Sequence, residues 1–278
     1  MDYASQFQRD GFLVLPGFFA KDHIDAVVSS INRTIEAQPK HIVVDMLETG
    51  ARTRLSSLTA EQVRNGRMKV NDLYLTMDDV RELAIEERLA GVLNACMGAP
   101  VALCNSLYFE KGSAQPPHVD AIYMTPKTPG HLLASWVALE DVHADAGPLE
   151  YFPGSHLIPQ WKFSDGSYHF IPEEMNQWHA YMDEQVAQRG LEKTSFAARK
   201  GDVFIWHAHL LHGGGPINDA NRTRKSLVFH YFTRDDSRKS RPKQEGPAYW
   251  IDRPAQEVPG ELPRTLRGVL RQVKRAIS

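Results

Sequence analysis

Three metal-ligand candidates are split between two distant parts of the chain, and that split is what most restricts its fold. His118 and Asp120 stand in Gln115-Pro-Pro-His-Val-Asp120, and His212 closes Trp206-His-Ala-His-Leu-Leu-His212. In an extended strand alternate side chains point the same way. His118 and Asp120 can therefore approach one ion together while Val119 packs behind them. The third ligand lies far along the chain, which suits a β-barrel whose distant strands meet around one cavity. Two imidazoles and one carboxylate hold one face of a metal and leave the opposite positions open, the ligand set of a non-haem Fe(II) oxygenase. An His-x-Asp triplet alone is weak grounds for a metal site, because short motifs match by chance.

The surroundings of the triplet add weight. Arg224 follows His212 and opens a strand pattern in which Leu227, Phe229 and Tyr231 share one face and Val228, His230 and Phe232 the other. A guanidinium at a strand mouth can bind a carboxylate through two parallel hydrogen bonds. Arg222 is the alternative anchor, but it sits nearer the turn. Gly201-Asp-Val-Phe-Ile-Trp206 reads as a turn and an apolar run that delivers the later histidines into the cavity. His207 and His209 can themselves bind metal as an alternating pair, so the residues alone do not choose among them and His212. His156, after Pro153-Gly-Ser, reads as a turn residue. His131, His143 and His230 read as structural or exposed, and Trp136 and Trp206 can simply be core.

Along the chain the pattern is a helical third, a β-rich middle and a basic tail. Ile24, Val27, Val28, Ile31 and Ile35 form one apolar stripe over Lys21 to Gln38. A second helix is expected from Asp78 to Met97, stopped by Gly98. From Val101 to Phe109 the pattern alternates, placing Val101, Leu103, Asn105, Leu107 and Phe109 on one face. Further strands are expected at 132–139, 149–152, 203–206 and 226–233. Residues 41–69 carry Arg52, Arg54, Arg64, Arg67 and Lys69 and read as a solvated loop. The competing reading is a lid whose cations meet an anionic substrate. The insertion at 157–200 holds Trp161, Phe163, Tyr168, Phe170, Trp178 and Tyr181, which suit either an apolar pocket wall or a seal on the barrel's side. A last helix is expected after Pro263, with Leu266, Val269, Leu270, Val273 and Ile277 on one face and basic residues elsewhere. Packing on the body or on a second copy of the chain, hence a homo-oligomer, is preferred for it over an anionic membrane surface.

Composition narrows the class. At 278 residues, with 42% hydrophobic and 24% charged, the chain can bury a substantial core as one domain over 1–278. That domain divides into a mainly helical buttress (1–99), a core (100–233) and a tail with its helix (234–278). A formal net charge of −2 gives no whole-protein attraction to nucleic acid. Cys96 and Cys104 are too few for a disulfide framework and read as buried free thiols, which fits a reducing cytoplasm. No apolar run approaches the roughly 20 residues of a membrane span.

These residues resemble the phytanoyl-CoA dioxygenase family of Fe(II)- and 2-oxoglutarate-dependent oxygenases. The likeness rests on Phe7-Gln-Arg-Asp-Gly-Phe-Leu-Val-Leu-Pro16, His118-Val-Asp120, Trp136-Val-Ala-Leu139, Gly147-Pro-Leu-Glu-Tyr-Phe-Pro-Gly-Ser-His156, Gly201-Asp202 and Leu211-His-Gly213, in the family's order. It implies a mostly β chain with flanking helices around a double-stranded β-helix, the jelly-roll or cupin-like core. It further implies that His118, Asp120 and His212 bind Fe(II), that Arg224 holds the distal carboxylate of 2-oxoglutarate, and that Trp136 walls the cosubstrate. Gly214 departs from the pattern, since some members carry a serine there that helps hold 2-oxoglutarate. Asn105 is the candidate for the replacement donor.

The implied reaction consumes O₂ and 2-oxoglutarate, releases succinate and CO₂, and hydroxylates a C–H of a small molecule such as a lipid, an acyl thioester or a natural-product intermediate. Asp120 occupies the iron position that related halogenases leave to chloride, so the resemblance favours hydroxylation over halogenation. Desaturation, epimerisation and ring formation with the same cofactors remain open. So does a cupin-like metal-binding isomerase or sugar-binding protein using His207, His209 and His212.

Overall fold

The computed structural model describes residues 2–261, and the helix expected after Pro263 lies outside the described residues. In chain order its first elements are α1 (Tyr3–Asp10), β1 (Phe12–Leu15), α2 (Lys21–Ala37), β2 (Val43–Met46), β3 (Arg52–Arg54), α3 (Ala60–Asn65) and β4 (Met68–Asn71). There follow α4 (Asp78–Ala84), α5 (Glu87–Met97), β5 (Val101–Phe109), β6 (Leu132–Ala138), β7 (Leu149–Tyr151) and α6 (Met175–Arg189). The chain continues with β8 (Thr194–Phe196), β9 (Val203–His207), β10 (His212–Gly214), β11 (Ser226–Thr233), β12 (Lys243–Glu245) and β13 (Ala248–Trp250).

The larger sheet runs β1-β9-β6-β11-β5-β4-β2-β3, and the smaller one β10-β7-β8. Leu149, Tyr151 and Phe196 of the small sheet pack against Trp136, Phe204 and Trp206 of the large one. Side chains of both inner faces therefore share one core, in the expected jelly-roll arrangement. The outer face of the large sheet is covered by helices. Ile24, Val27 and Ile31 of α2 and Leu89 and Leu93 of α5 join Leu103, Ile205 and Phe229 there. This burial of the predicted α2 stripe is what holds the helix, since most helical stability in a protein comes from the packing of an amphipathic face.

Three local features differ from expectation, and the sequence leaves a fourth open. The predicted 78–97 helix is two helices, because the Glu86 side chain accepts the Leu89 N–H and starts α5 anew. The predicted single face of β5 is split. Cys104 has no partner in β11, since Leu103 pairs with Tyr231 and Asn105 with His230. A bulge turns the strand over, so Val101 and Leu103 face the helices while Asn105, Leu107 and Phe109 face the interior. Segment 41–69 is neither loop nor lid. It forms β2, β3, α3 and β4, with Asp45 paired in register to both Arg52 and Lys69. The insertion contains α6, whose Trp178 and Met182 pack with Trp161 and Phe163 against Val119, Ile122 and Leu211. Its aromatics thus cover the rear of the 118–122 segment, where Trp161, Tyr168 and Trp178 also line an apolar pocket. Cys96 and Cys104 are buried free thiols, and burial pushes both up to about 12.

Candidate metal centre

His118 and His212 reach each other through their backbones. Each N–H donates to the other's carbonyl, at 2.8 and 3.0 Å, forming an isolated antiparallel bridge. Val119 is extended and Asp120 opens a 3₁₀ turn, so the ligand pair sits on a short bridge rather than a full strand. The alternation expected of the triplet still holds across Val119. The ligand atoms of His118, Asp120 and His212 lie within 4.8 Å of one another, a group that can hold a metal ion.

The hydrogen bonds decide which ring nitrogens are free. His118 Nδ1 lies 2.9 Å from the Pro116 carbonyl and His212 Nδ1 2.9 Å from the Leu210 carbonyl. A carbonyl only accepts, so both Nδ1 atoms carry the proton and both Nε2 lone pairs face Asp120 Oδ1, each at 3.8 Å. Trp206 Nε1–H donates to Asp120 Oδ2 at 2.8 Å, and His230 Nε2 stands 3.5 Å from the same oxygen. Burial opposes ionisation of Asp120, yet His212, His230 and His118 hold its carboxyl well below the usual carboxylate range. Burial, reinforced by His212, pushes His118 down to about 4, which keeps it neutral and available as a ligand.

Arg224 opens into a cavity bounded by His118, Asp120, His212, Trp136 and Ser113. It is 4% exposed, and burial pushes its guanidinium down to about 10. Its Nη1 reaches Ser226 Oγ only at 3.4 Å, while Arg224 Nε and Trp136 Nε1 have no hydrogen-bond partner among the described residues. Buried donors of this kind cost free energy when left unpaired. They fit a carboxylate, so the residues present suit both a 2-oxo acid and the metal it would chelate.

A second, wider cavity of about 780 Å³ meets the same His118 and Asp120 from another side, within the range of small-molecule sites. Arg52, Lys69, Asn71, His179 and Arg253 line it. Arg52 is bonded to Asp45 at 2.6 and 2.9 Å, whereas Arg54 faces away and pairs with Glu261. His179 is the insertion's contribution to this cavity among the described residues.

Asn105 lines the wide cavity and not the Arg224 cavity. Its amide donates to Asp72 at 2.9 Å and its oxygen faces His230 Nδ1 at 3.0 Å. It is therefore not placed as a donor beside Arg224. His207 packs near Phe7 and His156, and His209 lines an apolar pocket behind Val119 and Ile122. Neither joins a metal-holding group among the described residues. Arg222 pairs with Asp219 at the surface. The sequence reading missed two residues at the centre, His230 and Trp206. The signal was present: Phe204 and Trp206 alternate inward, as do Val228 and His230.

A profile of the phytanoyl-CoA dioxygenase (PhyH) family matches residues 7–226, a stretch that contains the triad and Arg224. The chain belongs to the phytanoyl-CoA dioxygenase family. Among family relatives, the phytanoyl-CoA dioxygenase domain-containing protein 1 homolog of Caenorhabditis elegans is 19% identical, over 85% of this chain and 92% of its own. The Rattus norvegicus phytanoyl-CoA dioxygenase domain-containing protein 1 is 22% identical, over 81% and 87%. The fold of this phytanoyl-CoA dioxygenase family member is shared by solved structures. The α-ketoglutarate-dependent epimerase SnoN from nogalamycin biosynthesis matches with a TM-score of 0.62, 24% identity and 83% and 82% coverage of this chain and its own. EctD from S. alaskensis, solved with 2-oxoglutarate and 5-hydroxyectoine, matches at 0.60, 19%, 84% and 76%.

Proposed function

We propose that this chain is a 2-oxoglutarate-dependent non-haem iron dioxygenase that hydroxylates a C–H of a polar small molecule. His118 Nε2, Asp120 Oδ1 and His212 Nε2 would hold Fe(II), and Arg224 with Trp136 would hold the cosubstrate. The observation that carries this reading is the buried Arg224 guanidinium, whose Nε has no partner among the described residues, opening on the same cavity as the triad. Bound Fe(II) and 2-oxoglutarate would supply the oxidising power drawn from O₂, with succinate and CO₂ as coproducts.

The chain's own part is positioning. Trp206 and His230 occupy Asp120 Oδ2 and direct Oδ1 toward the imidazoles. Trp136 and Phe109 flank the guanidinium, at 5.7 and 5.8 Å from ring centre to its carbon, and keep it dry. The wide cavity presents the substrate to the metal from the other side. Arg52 and Lys69 share one carboxylate, Asp45, so the wall carries an excess cation and suits a substrate with an acidic group.

Anaerobic titration of the Fe(II)-loaded protein with 2-oxoglutarate tests the reading through the visible charge-transfer band of the chelate. Wild type should develop the band, and Arg224→Ala should need about a hundredfold more 2-oxoglutarate, the loss of two charge-assisted hydrogen bonds. Bound iron with no band would sink the proposal. Once a substrate is found among polar acids, a product carrying one oxygen atom from O₂ supports hydroxylation; a product without it points to epimerisation, desaturation or cyclisation.

A further inference from the structure

Ser113 shares the Arg224 cavity and has an unspent donor. It is 8% exposed. Its Oγ accepts the Gln115 N–H at 3.4 Å, the outer limit of such a bond, and donates to nothing among the described residues. Three of the groups that line this small cavity, the Arg224 guanidinium, the Trp136 indole N–H and the Ser113 hydroxyl, are thus donors with capacity to spare.

The backbone explains how Ser113 comes to be there. A Cβ at Gly214 would lie 2.5 Å from Ser113 Oγ and 2.7 Å from the Ala114 nitrogen, far inside van der Waals contact. At Gly213 a Cβ would lie 2.7 Å from the Gln115 carbonyl oxygen. Two glycines in β10 thus let the 113–117 segment lie flat on the strand, where Gly214 N–H donates to the Gln115 carbonyl at 3.0 Å. Ala114 adopts φ +47°, a left-handed backbone unusual for alanine. Such a conformation persists only when its surroundings hold it. Space that a side chain on β10 would fill is given to a hydroxyl arriving from the loop before the metal-bearing segment.

We propose that Ser113 is the hydroxyl donor that, together with Arg224, holds the distal carboxylate of the 2-oxo acid cosubstrate. The proposal rests on the cosubstrate reading above and adds a residue to it. Ser113 would donate its O–H to one carboxylate oxygen while Arg224 serves the other, and Gly214 is glycine because Ser113 needs the room.

The test compares two ligands by the same anaerobic charge-transfer titration: 2-oxoglutarate, and 2-oxovalerate, which has the same chelating head and no distal carboxylate. Ser113→Ala should weaken 2-oxoglutarate binding about tenfold, as expected for one hydrogen bond to a charged group, and leave 2-oxovalerate unchanged. Ser113→Thr, which keeps the hydroxyl, should stay near wild type for both. Equal weakening of both acids in Ser113→Ala would mean a structural role and overturn the proposal, as would unchanged 2-oxoglutarate affinity. If wild type forms the chelate with neither acid, the cosubstrate reading itself falls and takes this proposal with it.

Discussion

A carboxylate can offer a metal one oxygen or two, and at Asp120 the choice is made by a tryptophan. With Oδ2 taken by the Trp206 N–H, only Oδ1 is left facing the two Nε2 atoms. Groups that orient a ligand in this way typically change metal affinity by about ten- to a hundredfold when removed. Trp206→Phe keeps the ring and loses the N–H, so Fe(II) affinity measured by chelator competition should fall within that range. An unchanged affinity would mean that His230 alone orients the carboxylate. Residue identity made the triad legible in the sequence, because imidazole and carboxylate are chemically marked. Ser113 was not legible, and for Trp206 alternation gave the inward face but not the role, because both roles depend on which neighbour a single polar atom meets.

From the end of β9 to the start of β10 the chain carries His207, His209 and His212, and the turn sorts them. His207 N–H donates to the Gly11 carbonyl and Leu210 N–H to the His207 carbonyl, so the strand alternation ends at His207. From there only His212 is returned to the cavity. His207 Nδ1 accepts the His209 N–H at 3.1 Å, and burial, reinforced by His209 and His156, pushes this ring down to about 3 from an ordinary value near 6.5. The unfolded chain takes up its proton near 6.5, while the folded chain resists until about 3. Between those values the unfolded state binds more protons, so stability should be full above pH 6.5 and fall as the pH drops through that window. Urea denaturation at pH 7 and pH 5 should show this loss, and His207→Phe should shrink it. Equal pH slopes in the two proteins would contradict the assignment. The same scale holds the misread elements: periodicity found α2, but not the Cys104 bulge that turns β5 over, nor the break at Glu86, which arises when one carboxylate caps Leu89.

Across the whole molecule, residues from four regions form one polar line to the metal ligand. Arg253 donates to Asp72 at 2.9 Å, Asp72 accepts from Asn105, Asn105 faces His230, and His230 stands beside Asp120. Because Asp72 accepts on this line, the Asn105 amide nitrogen must face it, which turns the Asn105 oxygen to His230 Nδ1. The C-terminal segment enters through β13, which pairs in parallel with β5, and Arg253 also donates to the Cys104 carbonyl at the bulge. Arg253→Ala would leave the buried Asp72 carboxylate short of its cation. We expect about 2 kcal/mol of lost stability in urea denaturation, the scale of a hydrogen bond to a charged group, together with weaker metal retention. Loss of stability with metal retention intact would restrict Arg253 to a structural role.

Taken alone, the sequence determined the chemistry and its distribution: two imidazoles, one carboxylate, one arginine, and a separation along the chain that requires distant strands to meet. It also determined the family likeness, the α2 stripe and the strands of the core, because these rest on residue type and short-range period. Tertiary structure decided which of three neighbouring histidines joins His118 and Asp120, that residues 41–69 complete the sheet, and that Asn105 supports His230 rather than the cosubstrate pocket. It also decided that Ser113 fills the room left by Gly214. These outcomes depend on register, a bulge and close backbone approach, and each is set by which strand lies alongside, a relation between residues far apart in the chain that no local pattern encodes.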